Sequence, residues 1–151
     1  MKFKSSLSTI ASTAFFLIGS LAFSQIGTRF PSEKKVVVDP ITGQELLFLT
    51  TKQAGDSKTY PTHPQWTSDG QWLVFRSNRV KGEAMAVNEK SGAIVQVTEG
   101  GYNGTLCIAQ KSMKLYFMRQ ANEKAMQIIE VDLAKLFEDS KSGKMKSVAV
   151  Y

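Results

Sequence analysis

The sequence predicts an all-β fold, and three observations carry that prediction. Short runs rich in β-branched and aromatic residues recur along the chain, and turn signals built on Gly, Pro, Asp and Asn separate them. The chain also matches itself at a spacing of 42 residues. Trp72-Leu73-Val74-Phe75 falls on Lys114-Leu115-Tyr116-Phe117, Trp66 on Ile108, and Ser68 on Gln110. A period of about 40 residues with four strands per unit is the signature of a β-propeller blade. The expected architecture is therefore the first two or so four-stranded blades of a propeller.

The first element is an address. Met1–Ser24 carries Lys2 and Lys4 at its start and an apolar stretch from Ile10 to Phe23. Ala22-Phe23-Ser24 sets small residues where a signal peptidase would cut before Gln25. The apolar stretch falls short of the roughly 20 residues that span a bilayer, so a cleaved signal is expected and no membrane span after it. The folded part is then Gln25–Tyr151, exported to a periplasm or beyond the cell.

The strands follow in order. Val36–Val38 ends at Asp39-Pro40, and Glu45–Thr50 follows the turn at Thr42-Gly43. Ala54–Thr62, with Gly55 and Pro61, reads as a loop. Trp66 opens the next strand, Ser68-Asp69-Gly70 turns the chain, and Trp72–Arg76 returns. Ala84–Asn88 and Ala93–Thr98 flank a hairpin turn at Glu89–Gly92, and Gly43–Thr50 resembles Gly92–Thr98. Thr105–Ala109, Lys114–Met118 and Ala125–Val131 continue the series. A turn or two of helix is expected over Leu133–Glu138, a solvated loop over Ser140–Lys146, and a further strand from Ser147.

Composition narrows the chemistry. The chain of 151 residues has 42% hydrophobic and 21% charged residues, which suits one folded domain. One cysteine, Cys107, excludes an internal disulfide and any multi-cysteine metal site, and it is tolerable in an oxidising compartment if it is buried and unreactive. One histidine, His63, excludes a site needing several imidazoles within this chain. The net charge of +6 fits a polyanionic partner, and a solvated surface explains the lysines equally well. The lysines are scattered, without the aromatic interleaving of a nucleic-acid channel, so no nucleic acid is expected. No phosphate loop, nucleophile elbow or zinc motif is present.

The segment Pro64–Arg79 closely resembles the TolB-type propeller repeat, a W-S-x-D-G-x-x-L-x-F-x-S-x-R pattern. In that reading Trp66 fills the space between blades and Gly70 takes a positive φ in the turn. Phe75 packs the blade face, and Asn78-Arg79 close the outer turn. The second unit has Lys111-Ser112 where the first has Asp69-Gly70, so it is a degenerate blade. Further motifs fall in one order: Asp39-Pro40-Ile41-Thr42-Gly43, Leu49-Thr50, Ser68-Asp69-Gly70, Gln96-Val97-Thr98-Glu99-Gly100-Gly101 and Val131-Asp132-Leu133. Their combination over Val36–Leu136 resembles the amino-terminal part of the oligogalacturonate lyase family. That resemblance implies a propeller that is seven-bladed when complete and cleaves pectic oligomers by β-elimination. It implies a divalent metal, manganese by preference, on a cluster of histidines plus a glutamine, and a further histidine as the base that removes the C5 proton.

Those residues have no counterpart here, because the chain has one histidine. No catalytic residue and no metal ligand is therefore expected in this chain, which reads as an inactive piece of a longer frame in preference to a truncated relative. The candidate substrate-binding residues are His63, Tyr60, Arg79 and Asn103, toward an acidic oligosaccharide. His63 begins an innermost strand, near the channel mouth where propellers bind ligands. His63-Pro64 before the tryptophan is equally an ordinary opening of the repeat, and Tyr60, Arg79 and the turn Tyr102-Asn103-Gly104 have the same bland alternative. A different class of function stays open beside the lyase: a non-catalytic TolB-like propeller that binds a protein or glycan in the cell envelope. Two blades alone would leave Leu115, Phe117 and Ile129 in contact with water.

Overall fold

A computed structural model describes residues 25–151, and the expected signal segment, Met1–Ser24, lies outside the described residues. Ten strands follow one another: β1 (Arg29–Phe30), β2 (Lys35–Val38), β3 (Glu45–Phe48), β4 (Ser57–Lys58), β5 (Trp72–Arg76), β6 (Ala84–Asn88), β7 (Ile94–Gln96), β8 (Asn103–Ile108), β9 (Lys114–Asn122) and β10 (Ala125–Asp132). A helix, α1 (Leu133–Ser142), and a single 3-10 turn at Val148–Val150 complete the chain. The protein is all-β in its framework, as expected.

The strands form three antiparallel groups. The first sheet has the order β1-β7-β6-β5-β4, and Trp66 adds an inner bridge to Leu73 on β5. The second has the order β10-β9-β8, and β2 with β3 makes a separate hairpin. The internal repeat is real at the level of register. Trp66 pairs with Leu73, and Ile108 pairs with Leu115, so the same spacing that aligns the sequences aligns the hydrogen-bonded partners. The inner turn of the first sheet shows why its residues are what they are. Gly70 sits at φ 68, and its amide donates to the Thr67 carbonyl at 2.8 Å. The Thr67 hydroxyl bonds the Asp69 carboxylate at 2.6 Å and accepts from the Trp72 amide at 3.1 Å, which closes the hairpin from both sides.

The main core lies between the two larger sheets. Val74, Ala86, Val95 and Val97 meet Leu106, Leu115, Phe117 and Val131, with Leu133 and Leu136 of the helix closing one end. A side chain of this size contributes about 1.5–3 kcal/mol when fully buried. A second cluster, Phe75, Met85, Val87 and Ile94, covers the other face of the first sheet. Every residue of β6 is consequently buried.

Several expectations need correction. The second sheet has three strands, because the chain leaves β10 directly into a helix. That helix runs to Ser142, past the expected loop start at Ser140. The Asp132 carboxylate caps its first turn, accepting from the Lys135 amide at 3.0 Å, and Gly143 at φ 71 ends it. Ser140 is buried, its hydroxyl donating to the Gly27 carbonyl at 2.6 Å. The strand expected from Ser147 is instead the 3-10 turn, whose Tyr151 carbonyl accepts from the Asp132 amide. Trp66 is 41% exposed rather than buried between blades, while Trp72 stacks on Phe137 with ring centroids 3.8 Å apart. Leu115 and Phe117 are buried and Ile129 half-buried, since those side chains point to the first sheet. Strand alternation puts Met118, Met126 and Ile128 in water on the other face. The condition of burial set for Cys107 is not met, since its side chain is exposed.

Candidate functional site

Arg79 follows β5 and turns inward, where it organises a buried ionic cluster. Its Nε and Nη2 donate to the two Glu33 carboxylate oxygens at 3.2 and 2.6 Å, a two-point fork. Its Nη1 bonds the Asp56 carboxylate and, at 2.8 Å, the Ser77 hydroxyl. The guanidinium lies 5.6 Å from the Phe75 ring centre. Glu33 also accepts from the backbone amides of Thr51 and Lys52, both at 3.1 Å. Burial pushes the Glu33 carboxyl up, but Arg79 and these two amides outweigh it and hold its pKa at about 2. Burial likewise works against the Arg79 charge, and the bonds to Glu33 and Asp56 more than restore it, raising its pKa. The cluster ties the segment before β2, the segment after β3 and the end of β5 into one unit.

Tyr60 and His63 form a second group on the loop after β4. Their ring centroids are 5.0 Å apart, and the His63 amide donates to the Tyr60 carbonyl at 3.3 Å. Tyr60 is exposed, whereas His63 Nδ1 is buried and makes no hydrogen bond among the described residues. Asn103 opens β8 on the second sheet, its amide 3.8 Å from the Met126 sulfur. The structure thus brings Tyr60 and His63 together. It places Arg79 in the ionic cluster, and no bond among those described joins Asn103 to either group.

Sequence reasoning missed Glu33, Asp56 and Arg76. Glu33 and Asp56 sit in stretches with no recognisable pattern, and only the fold brings them to Arg79. Arg76 reaches from β5 toward the second sheet, donating to the Gly104 carbonyl at 3.4 Å beside Tyr102, whose phenol is pushed up by burial. A groove of about 390 Å³ opens between β3, β4 and β5, walled by Phe48, Leu73 and Phe75 and edged by Asp56 and Lys58. Among the described residues no three His, Cys, Asp or Glu side chains converge. The donor set does not fit the manganese centre that the resemblance implies. No helix among them is long and apolar enough to cross a membrane.

The sheets, their repeated register and the inner Trp66–Leu73 bridge define a chain of β-propeller blades. No protein-family profile and no curated protein matches it. Solved structures do. An oligogalacturonate lyase in complex with manganese matches with a TM-score of 0.61 and 21% identity, over 75% of this chain and 30% of that one. An oligogalacturonate lyase from Vibrio parahaemolyticus matches with a TM-score of 0.60 and 20% identity, over the same shares. The chain thus spans less than a third of the length of these relatives in fold, and the likeness at this identity concerns the fold.

Proposed function

We propose that the chain supplies the first blades of an exported propeller of the oligogalacturonate lyase kind, one that cleaves acidic pectic oligomers by β-elimination in the periplasm or outside the cell. The observation that carries this reading is the match of three quarters of the chain to two such lyases. The ordered motifs from Asp39 to Leu133 support it from the sequence side. In this reading the residues of the chain build scaffold and one wall of a binding channel. Tyr60, His63 and Asn103 are the candidates to touch the uronate, Arg79 holds the blade edge through Glu33 and Asp56, and the reacting groups lie outside these residues. The basic balance of the chain favours a polyanion at the channel mouth.

The test is the full-length product of the reading frame that contains these residues. Incubated with oligogalacturonate and a divalent metal, it should release unsaturated uronate, seen as a rise in ultraviolet absorbance that a chelator abolishes. A well-folded full-length product with no such activity, yet with measurable binding to an envelope protein or glycan, would assign the chain to the TolB-like binding propellers.

A further inference from the structure

Arg76 ends β5 and Arg79 follows it by three residues, yet the two meet opposite surroundings. Arg79 bonds two carboxylates and a hydroxyl. Arg76 forms no ion pair among the described residues, and its Nη2 reaches only the Gly104 carbonyl, at 3.4 Å. A guanidinium carries five N–H donors, so most of this one is unanswered. A buried donor without an acceptor is costly, and buried polar groups normally find partners. Among the described residues four buried side-chain atoms make no hydrogen bond: Asp56 Oδ2, Thr59 Oγ1, His63 Nδ1 and Arg76 Nε. All four lie at the end of β5, beside β4 or on the loop after β4, and Ser57 of β4 pairs with Arg76. Unsatisfied polarity is thus concentrated at one corner, where the Tyr60–His63 loop begins.

The opposite wall of that corner is held in place. Glu83 is buried, and its two oxygens fasten the chain that crosses to the second sheet. One accepts from the Thr98 hydroxyl at 2.6 Å, the other from the Gly101 amide at 2.8 Å. Glu83 is therefore engaged, and it makes no ion pair with Arg76. The anchored Gly101 leads directly into Tyr102, which lies within electrostatic range of both Arg76 and Glu83, and into the exposed Asn103. Arg76 is itself half-buried, where a charge interacts more strongly than in open water.

We propose that Arg76, flanked by Tyr102 and Asn103 across the junction of the two sheets, binds the carboxylate of an acidic sugar. A planar carboxylate matches the guanidinium fork and supplies a counter-charge. The Asn103 amide and the Tyr102 hydroxyl offer donors and acceptors to the neighbouring sugar hydroxyls. The consequence is specificity: the free acid is held, and its methyl ester, which carries no charge, is not. This rests on the acidic-oligosaccharide part of the proposed function and is independent of the elimination step.

The experiment measures, by calorimetry, the dissociation constants of the full-length product for digalacturonate and for its dimethyl ester. Wild type, Arg76→Gln and Arg76→Lys are compared with a chelator present, so that neither a metal nor turnover contributes. Wild type should bind the acid at least about tenfold more tightly than the ester. Arg76→Gln should remove that preference, and Arg76→Lys, which keeps the charge without the fork, should retain part of it. Both variants should melt at the wild-type temperature, because the bond they lose is the 3.4 Å contact to Gly104. A wild type that binds neither ligand or both equally would overturn the proposal, as would a preference unchanged in Arg76→Gln. Lower melting temperatures in both variants would mark Arg76 as structural and overturn it too. Turnover with metal is scored separately. An Arg76-dependent preference without turnover leaves the proposal standing and removes the lyase reading, and turnover without the preference does the reverse.

Discussion

Replacing Glu33 by glutamine removes one charge from a cluster whose side chains are 3% exposed for Glu33 and 6% for Arg79. The Glu33 carboxyl goes from an ordinary 4.5 to about 2 on folding. A difference of that size corresponds to about 3 kcal/mol of stability at pH 7. Because the folded value is the lower one, the contribution is complete above about pH 5 and is lost as the pH falls toward 2. At pH 3 less than half of it remains. Glu33→Gln should therefore destabilise the chain by about 3 kcal/mol at pH 7, of the order seen when one partner of a buried pair is removed. Asp56 stays beside Arg79 and limits the damage to the lower end of that range. The assay is urea denaturation of wild type and variant at pH 7 and pH 3, where the other carboxylates titrate alike in both proteins. The gap should narrow by more than half at pH 3. A variant as stable as wild type at pH 7, or a gap that does not change with pH, would refute the reasoning.

Other outcomes follow from the same structure. Phe75→Ala should cost about 3–5 kcal/mol by denaturant titration, since Phe75 is buried under the Arg79 guanidinium. The turns at Gly43 and Gly92 should answer differently to one change. Gly43→Ala meets nothing within 4 Å and should cost only about 1–2 kcal/mol for a left-handed residue, whereas Gly92→Ala drives its Cβ into the Ser32 hydroxyl and against the Lys34 side chain and should cost clearly more, read as melting temperature. Expressed in a bacterium with a secretion pathway, the purified chain should begin at Gln25 by mass analysis, and an intact Met1 would remove the export reading.

The sequence made the regular strands legible where pattern and pairing agree. Trp72–Arg76 and Ala84–Asn88 are recognisable to the residue, because mostly apolar runs there are bounded by clear turns; the second is buried throughout and the first is buried at Val74 and Phe75. The repeat was visible as Trp66 on Ile108 and proved true in register. β1 and β4 were invisible, since strands of two residues exist only through their partners. The helix end was misjudged because Ser140 looks like solvent-facing polar chain until Gly27 lies beside it. The faces of β9 were exchanged for a related reason. Leu115, Phe117 and Met118 are all apolar, and only the position of the first sheet decides which of them are covered. For the candidate site, the sequence marked Tyr60 and His63, which do meet. It could not show that Arg79 is engaged by Glu33, 46 residues away.

The proposed function holds that these residues build part of an oligogalacturonate-lyase-like propeller whose reacting groups lie outside them. The most direct measurement compares two pure samples on oligogalacturonate with manganese: Gln25–Tyr151 alone, and the full-length product. The proposed function predicts no unsaturated uronate from the first, with or without His63→Ala, and metal-dependent release from the second. Metal-dependent turnover by monomeric Gln25–Tyr151 that disappears in His63→Ala would contradict it.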